Sequence, residues 1–287
     1  MEQARHYLAL DLPGRGQVLV HEWPGPAGAP TLVLVHGVAL NVEINWASVA
    51  PALARRYRVL ALDLRGHGRG LPVAGTFNLE DCADDIAAAL RVLGTGPVIP
   101  VGFSIGGMVA QLLWRRHRDL VAGLVLCATA RNVTGSPWER MLAMAMPWAV
   151  LTATLLSPFS VVGTDAIAGP LLDAGLAPAQ RRAALAHMRR MPLAIAMDAM
   201  RAGCAFSSRG WIGAVEVPTA VLVTRDDRIV APSRQHKLAA AVPGAIVVEI
   251  DGDHGVFLAD PEGFGDGLLH ACAAVTLPAE PSSTSAA

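Results

Sequence analysis

Two segments of this chain, TLVLVHG (Thr31–Gly37) and RVLALDLRGHG (Arg58–Gly68), share a design that few folds accommodate. Each is an unbroken apolar run, too short for a helix, that stops at a glycine-bearing loop. A strand apolar on both faces must be covered on both, which is the condition inside a parallel sheet. Parallel neighbours in turn need a crossover between them, usually a helix. The chain supplies one. NLEDCADDIAAALRVLG (Asn78–Gly94) opens on a residue suited to an N-cap, carries acids in its first turns and stops at a glycine.

The alternation continues. PVIPVGFSIGGMVAQLLWRRHRD reads as strand, tight turn and helix, and VAGLVLCATA as a further strand. Nearer the C-terminus VPTAVLVT and AIVVEI are strands, SRQHKLAAAV is a helix and PEGFGDGLLHACAAV a closing helix. At the N-terminus two strands, around Tyr7–Leu12 and Gln17–Glu22, meet at the turn Pro13-Gly14-Arg15-Gly16. The expected fold class is therefore α/β: a mostly parallel, doubly wound sheet of about eight strands.

The stretch 131–209 interrupts this rhythm and is expected to be a helical cap, with the core formed by residues 1–130 and 210–276. Residues 277–287 are small, polar and proline-bearing, and are expected to be disordered. The cap holds seven of the nine methionines, and Met141–Thr164 contains no charged residue. Pro147 and Pro158 are expected to cut that stretch into pieces too short to span a membrane, leaving a buried or membrane-touching cap helix. Arg181, Arg182, Arg189 and Arg190 read as a solvated helix face. The cap is also the surface through which a homodimer would form.

Composition narrows the partners. Hydrophobic residues make up 53% of the 287 and charged ones 16%, enough for a large core. A net charge of −1 offers no general attraction to nucleic acid or to an anionic membrane. Cys82, Cys127, Cys204 and Cys272 lack C-x-x-C spacing and read as free thiols. No metal-ligand cluster or cofactor motif is present in the pattern, so neither metal nor cofactor is expected. The N-terminal residues lack the apolar core of a secretory signal, and a cytoplasmic location is the default expectation.

In an open parallel sheet, ligands bind beyond the carboxyl ends of the strands. The polar residues just past those ends are His36, Ser104, Asp226, Asp227 and His254. A serine, an acid and a histidine thus leave one edge of one sheet. Serine is a poor nucleophile until a base takes its proton, and histidine titrates near neutrality. A buried carboxylate holds the imidazole tautomer and stabilises the imidazolium. Gly102 and Gly106 would permit the tight turn that presents Ser104. The Ile105 amide, at the start of the next helix, and the Val38 amide would hold the oxyanion.

With these marks in place (HGV at His36–Val38, DLRGHG at Asp63–Gly68, GFSIGG at Gly102–Gly107, DDRIVAP at Asp226–Pro232, GDHG at Gly252–Gly255), the chain resembles the α/β-hydrolase fold family. GFSIGGMVAQLL followed by LVLCATA is most similar to its enol-lactonase, haloperoxidase-like and carboxylesterase branch. The resemblance implies Ser104 as nucleophile, His254 as base and Asp227, ahead of RIV and Pro232, as the acid. It makes His36 a structural neighbour of the oxyanion loop, and His67 reads as loop structure. Asp251 and Asp253 flank His254 too closely to serve its far nitrogen.

The expected activity is cleavage of a small hydrophobic ester or lactone through an acyl-enzyme. A cofactor-independent C–C bond hydrolase or perhydrolase on the same triad is the alternative, and a non-catalytic ligand-binding protein the remote one. The apolar cap argues for an uncharged substrate, with Trp46, Phe103, Trp138, Met141, Met144 and Trp148 as candidate pocket walls.

Overall fold

A computed structural model describes residues 4–135, 137–156, 178–188 and 191–276. The expected disordered tail, Pro158, Arg189, Arg190 and the second part of the uncharged stretch lie outside the described residues. Eight strands form one sheet: β1 His6–Leu12, β2 Gly16–Trp23, β3 Thr31–Val35, β4 Arg58–Leu62, β5 Ile99–Phe103, β6 Leu124–Cys127, β7 Thr219–Thr224 and β8 Ile246–Ile250. Their order is β1-β2-β4-β3-β5-β6-β7-β8. β1 and β2 run antiparallel to their neighbours, and every pairing from β4 to β8 is parallel.

The apolar runs occupy the centre of the sheet. All residues of β3, β5, β6 and β7 are buried, as strands covered on both faces require. One covering layer holds the helices Leu79–Leu93 and Ile105–Arg116, packed against each other. The helix Pro261–Thr276 packs on β6, β7 and β8 and contributes Phe264, Leu268 and Cys272 to the second core. Gly94 ends its helix in the left-handed region at φ 61°. Asn78 precedes that helix in an extended conformation, but its side chain bonds Thr76 and Asp81 rather than a helix amide.

Between β6 and β7 the chain forms the helices Pro137–Leu156, Pro178–Met188 and Leu193–Ala205. Pro147 does not cut the first of these, contrary to the sequence expectation; the helix runs through it for 20 residues. Proline inside a helix forfeits one hydrogen bond and crowds the carbonyl a turn earlier, at about 3 kcal/mol. Here Pro147 is buried beside Ala194 and Met197, so packing against the Leu193–Ala205 helix offsets that cost. Among the described residues no helix is long and apolar enough to cross a membrane. Cys82, Cys127, Cys204 and Cys272 are free thiols, and burial raises the pKa of each, Cys272 to about 12.

Candidate active site

β5 ends at Phe103 and the next helix begins at Ile105, so Ser104 alone must reverse the chain. It does so at φ 55° and ψ −120°, a conformation that costs a residue bearing a Cβ about 1–3 kcal/mol. Its amide donates to the Cys127 carbonyl at 2.9 Å, which ties the turn to β6. The flanking glycines are required by close approach. A Cβ on Gly102 would stand 2.3 Å from the Gly106 carbonyl oxygen, and one on Gly106 would stand 2.2 Å from that of Val35. Backbone oxygens of a helix or a sheet strand cannot step aside. Gly106→Ala is therefore expected to destabilise the fold by about 3 kcal/mol or more. Thermal unfolding should report this as a Tm lower by roughly 6–12 °C.

Asp227 follows β7 and His254 follows β8, and the pairing of those strands continues past their ends. The Arg225 amide donates to the Ile250 carbonyl at 3.0 Å, and the Asp226 amide to that of Gly252 at 3.1 Å. The two loops are thereby held side by side. The result is a hydrogen-bonded chain: Ser104 Oγ lies 2.9 Å from His254 Nε2, and His254 Nδ1 lies 2.7 Å from Asp227 Oδ2. All three side chains are buried. The Phe103 ring, 5.0 Å from the His254 ring between centroids, packs against the imidazole.

The Asp227 carboxylate is surrounded by donors. Oδ1 accepts the Ile229 and Val230 amides at 2.9 and 2.8 Å. Oδ2 accepts the Thr224 hydroxyl at 2.8 Å and the Gln235 amide at 3.2 Å as well as His254. Gln235 is itself immobilised, donating to the Val230 carbonyl and accepting the Thr224 amide. Such a set holds the plane of the carboxylate. With Asp227 accepting at Nδ1, the hydrogen sits there, and Nε2 faces the serine with a free lone pair.

The other sequence candidates have other partners. Asp226 is exposed. Asp251 pairs with Arg225 at 2.9 Å. Asp253 is partly buried, which opposes ionisation. Bonds from the Arg228 and His254 amides and from the Arg228 guanidinium outweigh that and lower its pKa. His36 accepts the Leu64 amide at 2.9 Å and donates to the Gly37 carbonyl, tying the loop after β4 to the loop after β3. His67 donates to the Arg65 carbonyl, and burial together with nearby His36 pushes its pKa down to about 3.

The Gly37–Leu40 turn, which contains Val38, is closed by the Leu40 amide on the Gly37 carbonyl. Ala39 takes the positive φ of 56° that such a turn needs at its third position. A Cβ on Gly37 would lie 3.5 Å from Ser104 Cβ, so this backbone runs beside the serine. Asn45 Oδ1 holds the Gly37 amide at 3.0 Å, and Asp63 holds the Val42 and Arg69 amides at 2.8 Å each. The Ile105 amide opens its helix, where no carbonyl four residues back can take it. The start of that helix and the loop after β3 thus approach Ser104 from different elements.

Thr224, Gln235, Asn45 and Asp63 were not singled out from the sequence. Asp63 carried a signal, as an acid directly after an apolar strand. Gln235 carried none, since its helix reads as a polar surface helix.

The inserted helices reach this site. Met188 and Ala184 form an apolar cluster with Ala39, joined by Leu185, Met191 and Leu258. A Cβ on Gly203 would lie 3.4 Å from Ile105 Cδ1, so the third inserted helix passes over the start of the serine's helix. The expected pocket walls are corrected in part. Trp46 and Phe103 are fully buried in the core, packed edge to face with each other. Sequence patterning marks an apolar ring but not the side from which it is covered. Trp138, Met141, Met144 and Trp148 instead stand exposed along the first inserted helix, the two tryptophans at 66% and 61%. A cavity of about 460 Å³ is lined by His21, Glu43, Asp63 and Arg69 together with Ala39 and Met191, and not by the serine.

Comparison with known proteins agrees with this fold. The sequence profile of the alpha/beta hydrolase family matches residues 32–266. A pimeloyl-[acyl-carrier protein] methyl ester esterase of Chromobacterium violaceum is 30% identical over 241 residues, which cover 82% of this chain and 91% of that protein. Among solved structures, a thermophilic esterase from Thermogutta terrifontis superposes with a TM-score of 0.77 at 24% identity, over 95% of this chain and 100% of the other. An enol-lactonase from Burkholderia xenovorans does so with a TM-score of 0.76 at 22% identity, over 92% and 99%. At these identities the two structures speak for the fold.

Proposed function

This chain belongs to the alpha/beta hydrolase family, and from that premise we propose that it is a serine hydrolase of hydrophobic carboxylic esters or lactones. The observation that carries the reading is the unbroken chain from Ser104 Oγ through His254 to Asp227, beginning on a strained turn. His254 Nε2 takes the hydroxyl proton as Oγ attacks the acyl carbon. The carbonyl oxygen becomes an oxyanion between the Ile105 and Val38 amides. His254 then returns the proton to the leaving alcohol oxygen, and an acyl-enzyme remains. Water, deprotonated by the same nitrogen, releases the acid and restores Ser104. In this reading residues 131–209 form the cap over the site.

The esterase of Chromobacterium violaceum supports an ester substrate, and the cluster of Met188, Met191, Leu185 and Leu258 supports an apolar one. A panel of nitrophenyl esters of graded acyl length, lactones and a vinylogous diketone tests the proposal. Ester turnover should rise about three- to fourfold in kcat/KM per added methylene until the pocket is filled. Turnover of the diketone alone would instead assign the site to C–C bond cleavage.

A further inference from the structure

Away from the serine, the chain leaves the sheet for its inserted helices and later rejoins it, and the two passages are fastened together. The Ser208 amide donates to the Arg131 carbonyl at 2.8 Å, and the buried Ser208 hydroxyl donates to Gln111 at 2.7 Å. Thr134 donates to the Cys204 carbonyl at 3.0 Å. Beside these ties is a cavity of about 180 Å³ lined by Arg131, Asn132, Gly135, Arg209, Arg234 and Lys237. Three guanidinium groups and one ammonium share this concavity. Among the described residues none of the four cations has an ion-pair partner. One acid, Glu139, stands at the rim, where its carboxylate accepts the Gly135 amide.

Several other arginines of this protein are paired: Arg65 with Asp85, Arg116 with Asp84, Arg225 with Asp251 and Arg228 with Asp253. Four like charges around one small cavity repel each other, and a bound anion would relieve that repulsion. Guanidinium groups offer paired N–H donors that match the oxygens of a phosphate, and an ammonium adds a point charge.

We propose that the concavity formed by Arg131, Arg209, Arg234 and Lys237 binds a phosphate group. Its position gives that binding a consequence. Arg131 and Arg209 stand on the two passages of the insertion, whereas Arg234 and Lys237 flank Gln235, which donates to the Asp227 carboxylate. A bound phosphate would tie both passages to the helix that braces the acid. The proposal stands independently of the hydrolase reading, because binding is measured directly.

Isothermal titration of the full chain with inorganic phosphate, at low ionic strength and neutral pH, tests it. One saturable site is expected, with a Kd in the millimolar range or tighter. In Arg131→Gln/Arg234→Gln the Kd should rise at least about tenfold. Lys237→Gln, a change at an exposed side chain, should weaken binding by a smaller factor and covers the case in which the double variant fails to fold. Arg225→Gln should leave the Kd unchanged. A parallel titration with methyl phosphate distinguishes the source: tighter binding of the monoester points to a phosphate carried on an organic ligand, tighter binding of the inorganic ion to the free anion. Absence of saturable binding up to about 10 mM would overturn the proposal. So would a Kd unchanged in the folded variants, or equal competition by chloride.

Discussion

Ser104→Ala is expected to lower kcat by about 10⁵–10⁶-fold and to abolish labelling by a fluorophosphonate, while the protein remains folded. The size follows from the geometry. Among the described residues the only hydroxyl hydrogen-bonded to His254 Nε2 is that of Ser104, so the variant has no side-chain nucleophile on that base. Labelling that persisted in the variant would remove Ser104 from the mechanism. Ser104→Gly sharpens the test because activity and stability part company. It should be as inactive as the alanine variant. Yet glycine adopts φ 55° without the Cβ penalty, so it should be more stable than Ser104→Ala by about 1 kcal/mol. That is a Tm higher by roughly 2–4 °C. Equal Tm values would show that the turn stores no strain.

Asp227→Asn should cost about 10⁴-fold in kcat, and Asp226→Asn almost nothing. Every group around the Asp227 carboxylate is a donor: two amides at Oδ1, and Thr224, Gln235 and His254 at Oδ2. An asparagine must point its NH₂ at one of these sets. Turned toward Oδ1, it opposes the Ile229 and Val230 amides. Turned toward Oδ2, it opposes Thr224 and Gln235 and makes His254 Nδ1 an acceptor. The hydrogen would then sit on Nε2, which could no longer take the serine proton. Asp226 is exposed and touches neither ring nitrogen. Equal losses in the two variants would exclude Asp227 as the orienting acid.

Much of this architecture is legible in the sequence, for a local reason. Apolar runs without alternation mark central strands, and the glycines after them mark where those strands stop. β3 to β7 were readable in that way, and so was the emergence of Ser104, Asp227 and His254 beyond strand ends. The reading failed where a residue's role depends on what approaches it from far along the chain. Pro147 looked like a helix breaker until the Leu193–Ala205 helix packed against it. Trp46 looked like a pocket wall, but Phe103 and Phe264 enclose it in the core.

What the sequence by itself determined is the edge at which chemistry can occur, because strand periodicity and glycine stops are properties of neighbouring residues. Strand periodicity alone does not separate Asp226 from Asp227; the family resemblance pointed to Asp227, and the tertiary structure sets its carboxylate 2.7 Å from the imidazole. It also decided that Gln235 and Thr224 brace that acid. The same holds for the four cations from three separate stretches of chain that share one cavity. The physical reason is the same in each case. A hydrogen bond or a shared charge field acts over a few ångströms, and which residues come within that range is set by strand order and register.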